Sequence, residues 1–250
     1  MRDLVLIHGL GSDHRYWDEL IPELTGDFDV LALDLPGHGS GAKRLTAQEA
    51  HPRALAAAVA DQLVDRGIDQ PHVVGLSLGG WVALELAATG RCASVVALSP
   101  AGLWAEGTRV HKERQGLLLG PVIRMLGPTL PSLTRISWVK KVGLAKNVAA
   151  PQRVSDEAFL AAAQAIGKSR GYSACEEAVV TDRFREGTRI RVPTTVAYGD
   201  DDKVFPAPTY QDPSELPAQA RFEVVADCGH AMTWDQPETC LGLIRDTTSS

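Results

Sequence analysis

The chain has 250 residues, a formal net charge of −6 and 44% hydrophobic residues, which suits one α/β domain with an insertion. No basic stripe is available to neutralise phosphates, so a nucleic-acid partner is not expected. The four cysteines are widely separated and include no Cys-x-x-Cys pair. Neither a zinc site nor a dense disulfide framework is indicated, and we expect no metal and no cofactor.

The first predicted strand lies almost at the start of the chain. Met1-Arg2-Asp3 leads directly into the apolar run 4–7, Leu-Val-Leu-Ile, which leaves no room for a secretory signal. A cytoplasmic location is therefore expected. The sequence His8-Gly9-Leu10-Gly11 follows this strand. A second strand is predicted over residues 30–33, and the turn Asp34-Leu35-Pro36-Gly37-His38-Gly39 follows it.

Residues 75–79, Gly-Leu-Ser-Leu-Gly, lie between an apolar strand pattern at 72–74 and a helix-forming run at 81–88. A strand that turns at once into a helix holds its turn residue in a strained conformation, and glycines are needed where side chains would collide. The hydroxyl of Ser77 would then lie at a helix N-terminus, where developing negative charge is favoured. The pattern predicts that Ser77 is an exposed nucleophile.

The strand pattern is interrupted between Pro100 and Val192, over about 90 residues, which is too long for an ordinary loop. We predict an inserted, mainly helical cap over residues 101–190, with residues 1–100 and 191–250 forming the core. Helices are predicted over 151–166 and 172–184. The apolar run 116–126 is broken by Gly120 and Pro121 and is too short for a membrane span, so no membrane partner is expected. It either lines a pocket or packs the cap on the core.

A reactive serine requires a base and an acid that orients the base. A strand predicted over residues 192–198 leads into Gly199 and three consecutive carboxylates, Asp200, Asp201 and Asp202. Side chains that alternate along a turn cannot all point at one histidine, so at most one of these is the orienting acid. Another strand is predicted over 221–226, and His230 lies on the loop beyond it, which makes it the preferred base. The last residues, 247–250, are predicted to be disordered.

These motifs, in this order along nearly the whole chain, resemble the alpha/beta-hydrolase family, in which the catalytic residues follow the order serine, acid, histidine. The resemblance implies a mostly parallel sheet of about six strands, without the antiparallel hairpin that opens many members. It also implies that the acid is Asp202, the fourth position of Gly-x-x-Asp-x-x-x-Pro from Gly199 to Pro206. The backbone N–H groups of Leu10 and Leu78 would form the oxyanion hole. His8 and His38 are expected to brace loops, as is Asp34.

The resemblance predicts a carboxylesterase-like serine hydrolase that cleaves a small to medium, hydrophobic ester through an acyl-enzyme. A thioesterase, a carbon–carbon bond hydrolase, another cofactor-free enzyme with the same triad, and a ligand receptor that keeps the triad are the alternatives. The expected partner is a small ester or acyl substrate, and the sequence leaves the oligomeric state open. Since His230 must be neutral to accept a proton, we expect activity to rise through roughly pH 6 to 7.

Overall fold

The computed structural model describes residues 1–39, 43–110, 121–123 and 125–249, and its centre is one sheet of six parallel strands. The strand order is β2-β1-β3-β4-β5-β6. The strands are β1 (Arg2–Ile7), β2 (Phe28–Leu33), β3 (His72–Leu76), β4 (Ser94–Leu98), β5 (Thr194–Gly199) and β6 (Arg221–Val225). The six-strand parallel sheet predicted from the resemblance is confirmed.

Each face of the sheet carries its own core, as expected for a parallel sheet covered by helices on both sides. Alternate residues of β1 show the division: Val5 and Ile7 belong to one buried cluster, and Leu4 and Leu6 to the other. The first cluster includes residues from helices α2 (Pro52–Asp65) and α3 (Leu78–Ala88). The second includes Trp17 and residues from the C-terminal helix. The sheet therefore has a rigid, fully packed centre that fixes where its strand ends lie.

The segment between β4 and β5, residues 101–190, contains helices and, where the structure describes it, no strand. We call it the inserted segment. Residues 121–123 and 125 are helical, while most of the apolar run predicted at 116–126 lies outside the described residues. The helices that follow are α4 (Leu130–Leu133), α5 (Ser137–Leu144), α6 (Asp156–Lys168) and α7 (Tyr172–Thr181). The boundaries of a cap remain a prediction.

Two helices of the inserted segment differ from their predicted bounds. The predicted helix 151–166 is a short 3-10 turn, Pro151–Arg153, followed by α6. The Ser155 hydroxyl accepts a hydrogen bond from the N–H of Ala158 at 3.0 Å, and this N-cap sets where α6 begins. The helix predicted over 172–184 ends at Thr181 because Asp182 is extended.

The predicted disorder at the C-terminus is wrong for residues 247–249, while Ser250 lies outside the described residues. The chain ends in helix α9 (Pro237–Thr248), which follows the short helix α8 (Met232–Asp235). The remaining short helix, α1 (Ile21–Leu24), lies before β2. Thr247 is buried, and its hydroxyl lies 2.7 Å from that of Thr195 on β5. The polar residues at the end of the chain suggested disorder, but they belong to a helix that packs one face on the sheet. Within the described ranges, no helix is both long and apolar enough to cross a lipid bilayer.

Candidate active site

Ser77 lies at the carboxyl end of β3 with φ of 55° and ψ of −116°. This left-handed conformation is costly for a residue with a side chain, and it persists only where the surroundings enforce it. A Cβ on Gly75 would lie 2.1 Å from the carbonyl oxygen of Gly79, and one on Gly79 would lie 2.3 Å from that of Ile7. Both glycines are thus required by backbone contacts, as the sequence predicted. They allow β1, β3 and α3 to meet closely enough to fix the turn.

The Ser77 side chain does not cap α3, the helix that begins with the next residue. Its hydroxyl makes no hydrogen bond to any residue that the structure describes. The residue is 8% exposed and therefore buried, which differs from the exposed nucleophile that the sequence predicted. The hydroxyl thus lies at the positive end of a helix dipole and is not engaged in a hydrogen bond to the helix.

Asp202 and His230 are in direct contact. The Nδ1 of His230 lies 2.9 Å from Oδ2 of Asp202, and both residues are buried. Because a carboxylate only accepts hydrogen bonds, Nδ1 carries the proton in this pair. Nε2 of a neutral His230 is then the free acceptor, which is the tautomer that a general base needs.

The Asp202 carboxylate is held by its own turn as well as by the histidine. Oδ1 accepts hydrogen bonds from the N–H groups of Val204 and Phe205, each at 2.8 Å. Burial alone would raise the pKa of Asp202, but the charge and hydrogen bond of His230, with these two N–H groups, hold the pKa below its ordinary value. The carboxylate is therefore ionised at neutral pH.

The two neighbouring carboxylates point elsewhere. Oδ1 of Asp200 accepts a hydrogen bond from the N–H of Cys228 at 3.2 Å. Asp201 is exposed, and its Oδ2 lies 2.8 Å from Nζ of Lys203. Of the three consecutive aspartates, Asp202 is the one that reaches the histidine.

The loop that carries His230 packs directly on the end of β5. A Cβ on Gly199 would lie 2.1 Å from the carbonyl oxygen of Cys228, so only glycine permits this approach. The Phe205 ring lies edge-on to the His230 ring, with centroids 5.0 Å apart. The structure therefore brings Asp202 and His230 together, while Ser77 lies at the same carboxyl edge of the sheet without a hydrogen bond to His230. Such bonds are often long before substrate binds.

The loop after β1 lies against Ser77. A Cβ on Gly9 would be 3.1 Å from Cβ of Ser77. The N–H groups of Leu10 and Leu78 donate to no other atom in the part of the chain that the structure describes. Two backbone donors without a described acceptor thus follow directly on the two residues in contact, Gly9 and Ser77.

His8 fixes that loop. Its Nε2 accepts a hydrogen bond from the N–H of Leu35 at 3.0 Å, so the proton lies on Nδ1, which donates to the carbonyl of Gly9 at 2.7 Å. Burial lowers the pKa of His8, and a neutral ring can serve as both donor and acceptor. The sequence interpretation of His8 as a bracing residue agrees with these contacts.

His38 and Asp34 belong to the turn after β2. Nδ1 of His38 lies 3.1 Å from the carbonyl oxygen of Pro36, and burial lowers the pKa of His38 to about 3. Oδ1 of Asp34 accepts hydrogen bonds from the N–H and ring of His14, at 2.8 and 2.9 Å. Both residues hold loops in place, as the sequence predicted.

One buried carboxylate beside the candidate base was missed. Asp235, five residues after His230, is 3% exposed and accepts hydrogen bonds from three backbone N–H groups. The only signal in the sequence was its place between an aromatic residue and the Gln-Pro pair that precedes α9.

Neither a metal cluster nor a disulfide is found among the residues that the structure describes. Among the described residues, no group of three or more His, Cys, Asp and Glu is arranged to hold a metal ion. The four cysteines are free and buried. A cavity of about 200 Å³ lies between residues 104–108 and 180–185, and Ser77, Asp202 and His230 are not among the residues that line it.

The chain matches the model of the alpha/beta hydrolase family over residues 4–242 and belongs to that family. It is 30% identical, over 97% of its length, to the dihydrolipoyllysine-residue acetyltransferase component of the acetoin cleaving system of Cupriavidus necator. The chain spans 62% of the length of that relative.

Two further proteins are similar along nearly their full lengths. The pimeloyl-[acyl-carrier protein] methyl ester esterase of Aromatoleum aromaticum is 27% identical over 98% of this chain and 97% of its own. The enol-lactonase of Burkholderia xenovorans LB400 superposes with a TM-score of 0.77 at 21% identity, covering 100% of this chain and 92% of its own. The family and the methyl ester esterase relative support hydrolase activity in general.

Proposed function

We propose that the chain is a serine hydrolase that cleaves a small to medium, hydrophobic carboxylic ester through an acyl-enzyme. The observation that carries the proposal is the hydrogen bond between Asp202 and His230, at the sheet edge where Ser77 is held in the left-handed conformation. A carboxylate that fixes an imidazole, together with a strained serine at a helix N-terminus, is the arrangement that activates a hydroxyl.

In the first half of the reaction, Oγ of Ser77 attacks the ester carbonyl carbon and its proton passes to Nε2 of His230. The carbonyl oxygen becomes an oxyanion, which the N–H groups of Leu10 and Leu78 stabilise. The tetrahedral intermediate expels the alcohol, which takes the proton from His230. Asp202 stabilises the imidazolium while it exists.

In the second half, water attacks the acyl-enzyme carbonyl and gives its proton to His230. Collapse of the second tetrahedral intermediate returns that proton to Ser77 and releases the carboxylic acid. Apart from the substrate and water, these steps use only groups of the chain, so the proposal includes no cofactor and no metal. The partner is a small ester or acyl compound, with neither nucleic acid nor a membrane involved.

Apolar side chains on both sides of the proposed site support a hydrophobic substrate. Phe205 packs on His230 and on Trp104. A Cβ on Gly11, next to the oxyanion loop, would meet the ring of Tyr172 at 2.9 Å. The name of the Aromatoleum aromaticum relative, a methyl ester esterase, supports an ester as the bond cleaved.

Labelling with a fluorophosphonate, followed by intact mass, tests the nucleophile. We expect one adduct on the unmodified protein and none on Ser77→Ala. Ser99→Ala is the matched control, because Ser99 also follows directly on a strand, has a left-handed φ of 41° and has a buried hydroxyl. Its labelling should be unchanged. Failure to label the unmodified protein, or equal labelling of Ser77→Ala, would remove the nucleophile from the proposal.

A panel of p-nitrophenyl esters of increasing acyl length, with matched thioesters, then separates the alternatives. We expect turnover within the ordinary enzymatic range of about 1 to 10³ s⁻¹ on one or more esters. Faster turnover of the thioesters would identify a thioesterase. Turnover well below about 1 s⁻¹ on every compound would favour a receptor.

A further inference from the structure

The Asp235 carboxylate joins the loop of His230 to the inserted segment. Oδ2 accepts hydrogen bonds from the N–H groups of Gly229 and Ala149, both at 2.8 Å, and Oδ1 accepts one from Ala150 at 3.0 Å. Asp235 is 3% exposed, so water does not compete for these bonds. A buried carboxylate with three N–H donors is strongly held, since charge-assisted hydrogen bonds are the stronger kind.

The residue after His230 is tied to the same part of the inserted segment. The N–H of Ala231 donates to the carbonyl of Asn147 at 2.7 Å. A Cβ on Gly229 would lie 2.8 Å from Cα of Val148, so the two backbones are in contact. Residues 147–150 therefore hold the backbone immediately before and immediately after the imidazole.

The imidazole ring itself makes one polar contact with a described residue, between its Nδ1 and Asp202. The contact with Asp202 fixes the orientation of the ring, and the backbone contacts fix the position of the His230 Cα to which the side chain is attached. If the loop backbone moved, the ring could no longer keep Nδ1 in contact with Asp202 and at the same time direct Nε2 toward Ser77. Reacting groups that are misplaced by about 1 Å can lose about 100-fold in rate.

We infer that Asp235 is a positioning residue for His230, through which the inserted segment sets the alignment of the base with Ser77. The inference rests on the proposed function. In this role Asp235 acts through the backbone of Gly229 and not on the reacting atoms themselves. The inserted segment thus has a part in the chemistry besides shaping the pocket.

Asp235→Asn tests the inference, because its amide nitrogen cannot accept the hydrogen bonds that one carboxylate oxygen now accepts. We expect kcat to fall about 10- to 100-fold with KM changed less than threefold, and fluorophosphonate labelling of Ser77 to slow by the same factor as kcat. The proton between His230 and Asp202 should give a downfield NMR signal in the unmodified protein. That signal should shift or broaden in the variant.

Thr247→Val is the matched control. It removes a buried hydroxyl that bonds Thr195 at 2.7 Å, on α9 and outside the candidate site. It should lower Tm while leaving kcat, the labelling rate and the NMR signal unchanged. A merely structural Asp235 would behave in the same way as Thr247, and that result would overturn the inference.

A second variant decides the case in which Asp235→Asn does not fold. Arg153, exposed on the inserted segment, donates from Nη1 to the carbonyl of Asp235 at 3.1 Å. Arg153→Ala should lower kcat threefold or more without moving KM, and an unchanged kcat would overturn the inference. If the unmodified protein is not labelled, the proposed function fails and the inference fails with it; if the unmodified protein is labelled but kcat is unchanged in these variants, only the inference fails.

Discussion

The loops at the carboxyl edge of the sheet and the inserted segment are held by different kinds of contact. In the edge loops, backbone meets backbone: added Cβ atoms on Gly75, Gly79 and Gly199 would lie 2.1 to 2.3 Å from carbonyl oxygens. The inserted segment meets the same edge through backbone contacts at residues 147–148 and, in addition, through side chains, such as Tyr172 on Gly11 and Asp235 on the backbone at 149–150. Geometry set by backbone contact allows little variation, whereas side-chain contacts can be exchanged.

The two regions also differ in how their apolar residues are used. Every residue of β4 and β5 is buried. Helix α5 of the inserted segment buries only Leu144 and leaves Trp138 and Val142 largely exposed. In the proposed function, the packed sheet edge carries the reacting groups, and the inserted segment acts on the alignment of His230.

Asp202→Asn should have the largest effect, because it tests the chemistry of the sheet edge. An asparagine could keep its oxygen toward the N–H groups of Val204 and Phe205, which would turn its amide nitrogen toward His230. The imidazole would then carry its proton on Nε2 and could not accept one from Ser77. We expect kcat for the best p-nitrophenyl ester to fall about 10³- to 10⁴-fold.

The control for this prediction is Asp201→Asn, whose carboxylate faces Lys203 at the surface. Its kcat should stay within about twofold of the unmodified value, since surface substitutions have small effects. Equal losses in the two variants would contradict the assignment of Asp202.

The same carboxylate makes stability depend on pH. The pKa of Asp202 lies below its ordinary value, so its ionised form stabilises the fold above the ordinary carboxyl pKa of about 3.9. That contribution is lost as the pH falls through the lower value of the folded protein. The free energy of unfolding should therefore drop more steeply with acidification in the unmodified protein than in Asp202→Asn. Urea unfolding at pH 7, 5, 4 and 3.5 measures this, and parallel curves would contradict it.

Much of the sheet edge could be predicted from the sequence because short-range patterns encode it. Residues 75–79 gave the turn at Ser77, since its two glycines are imposed by neighbours in the same strand–turn–helix unit and in β1. The choice among the aspartates at 200–202 could not be made from the residues alone. It required the family resemblance, because the direction of each carboxylate depends on where Cys228 and His230 arrive from β6.

Contacts that join distant parts of the chain were not predictable. Asp235 contacts residues more than 80 positions away, and no local pattern distinguishes it from a surface carboxylate. The ordered end of α9 was missed for the same reason, because Thr247 meets Thr195 only after the sheet has formed. In a sequence, polar residues whose hydrogen bonds are made by tertiary contacts cannot be distinguished from polar residues exposed to solvent.

The smallest predicted effects are changes in the free energy of unfolding, caused by a glycine-to-alanine substitution in one helix of each region. Gly242 is exposed on α9, and a Cβ there would have no heavy atom within 4 Å. Gly242→Ala should raise the free energy of unfolding by about 0.5 to 1 kcal/mol, because alanine loses less backbone entropy in a helix than glycine does. Gly143 on α5 differs, since a Cβ there would lie 2.8 Å from the ring of Phe159.

Gly143→Ala should therefore lower the free energy of unfolding by about 1 to 3 kcal/mol, as expected for an overpacked contact. Urea unfolding of both variants measures the difference, with esterase activity as a check that the sheet edge is intact. Stabilisation by both substitutions would mean that Phe159 yields at little cost. In that case α5 and α6 would pack loosely, and the inserted segment could not hold residues 147–150 rigidly enough to align His230.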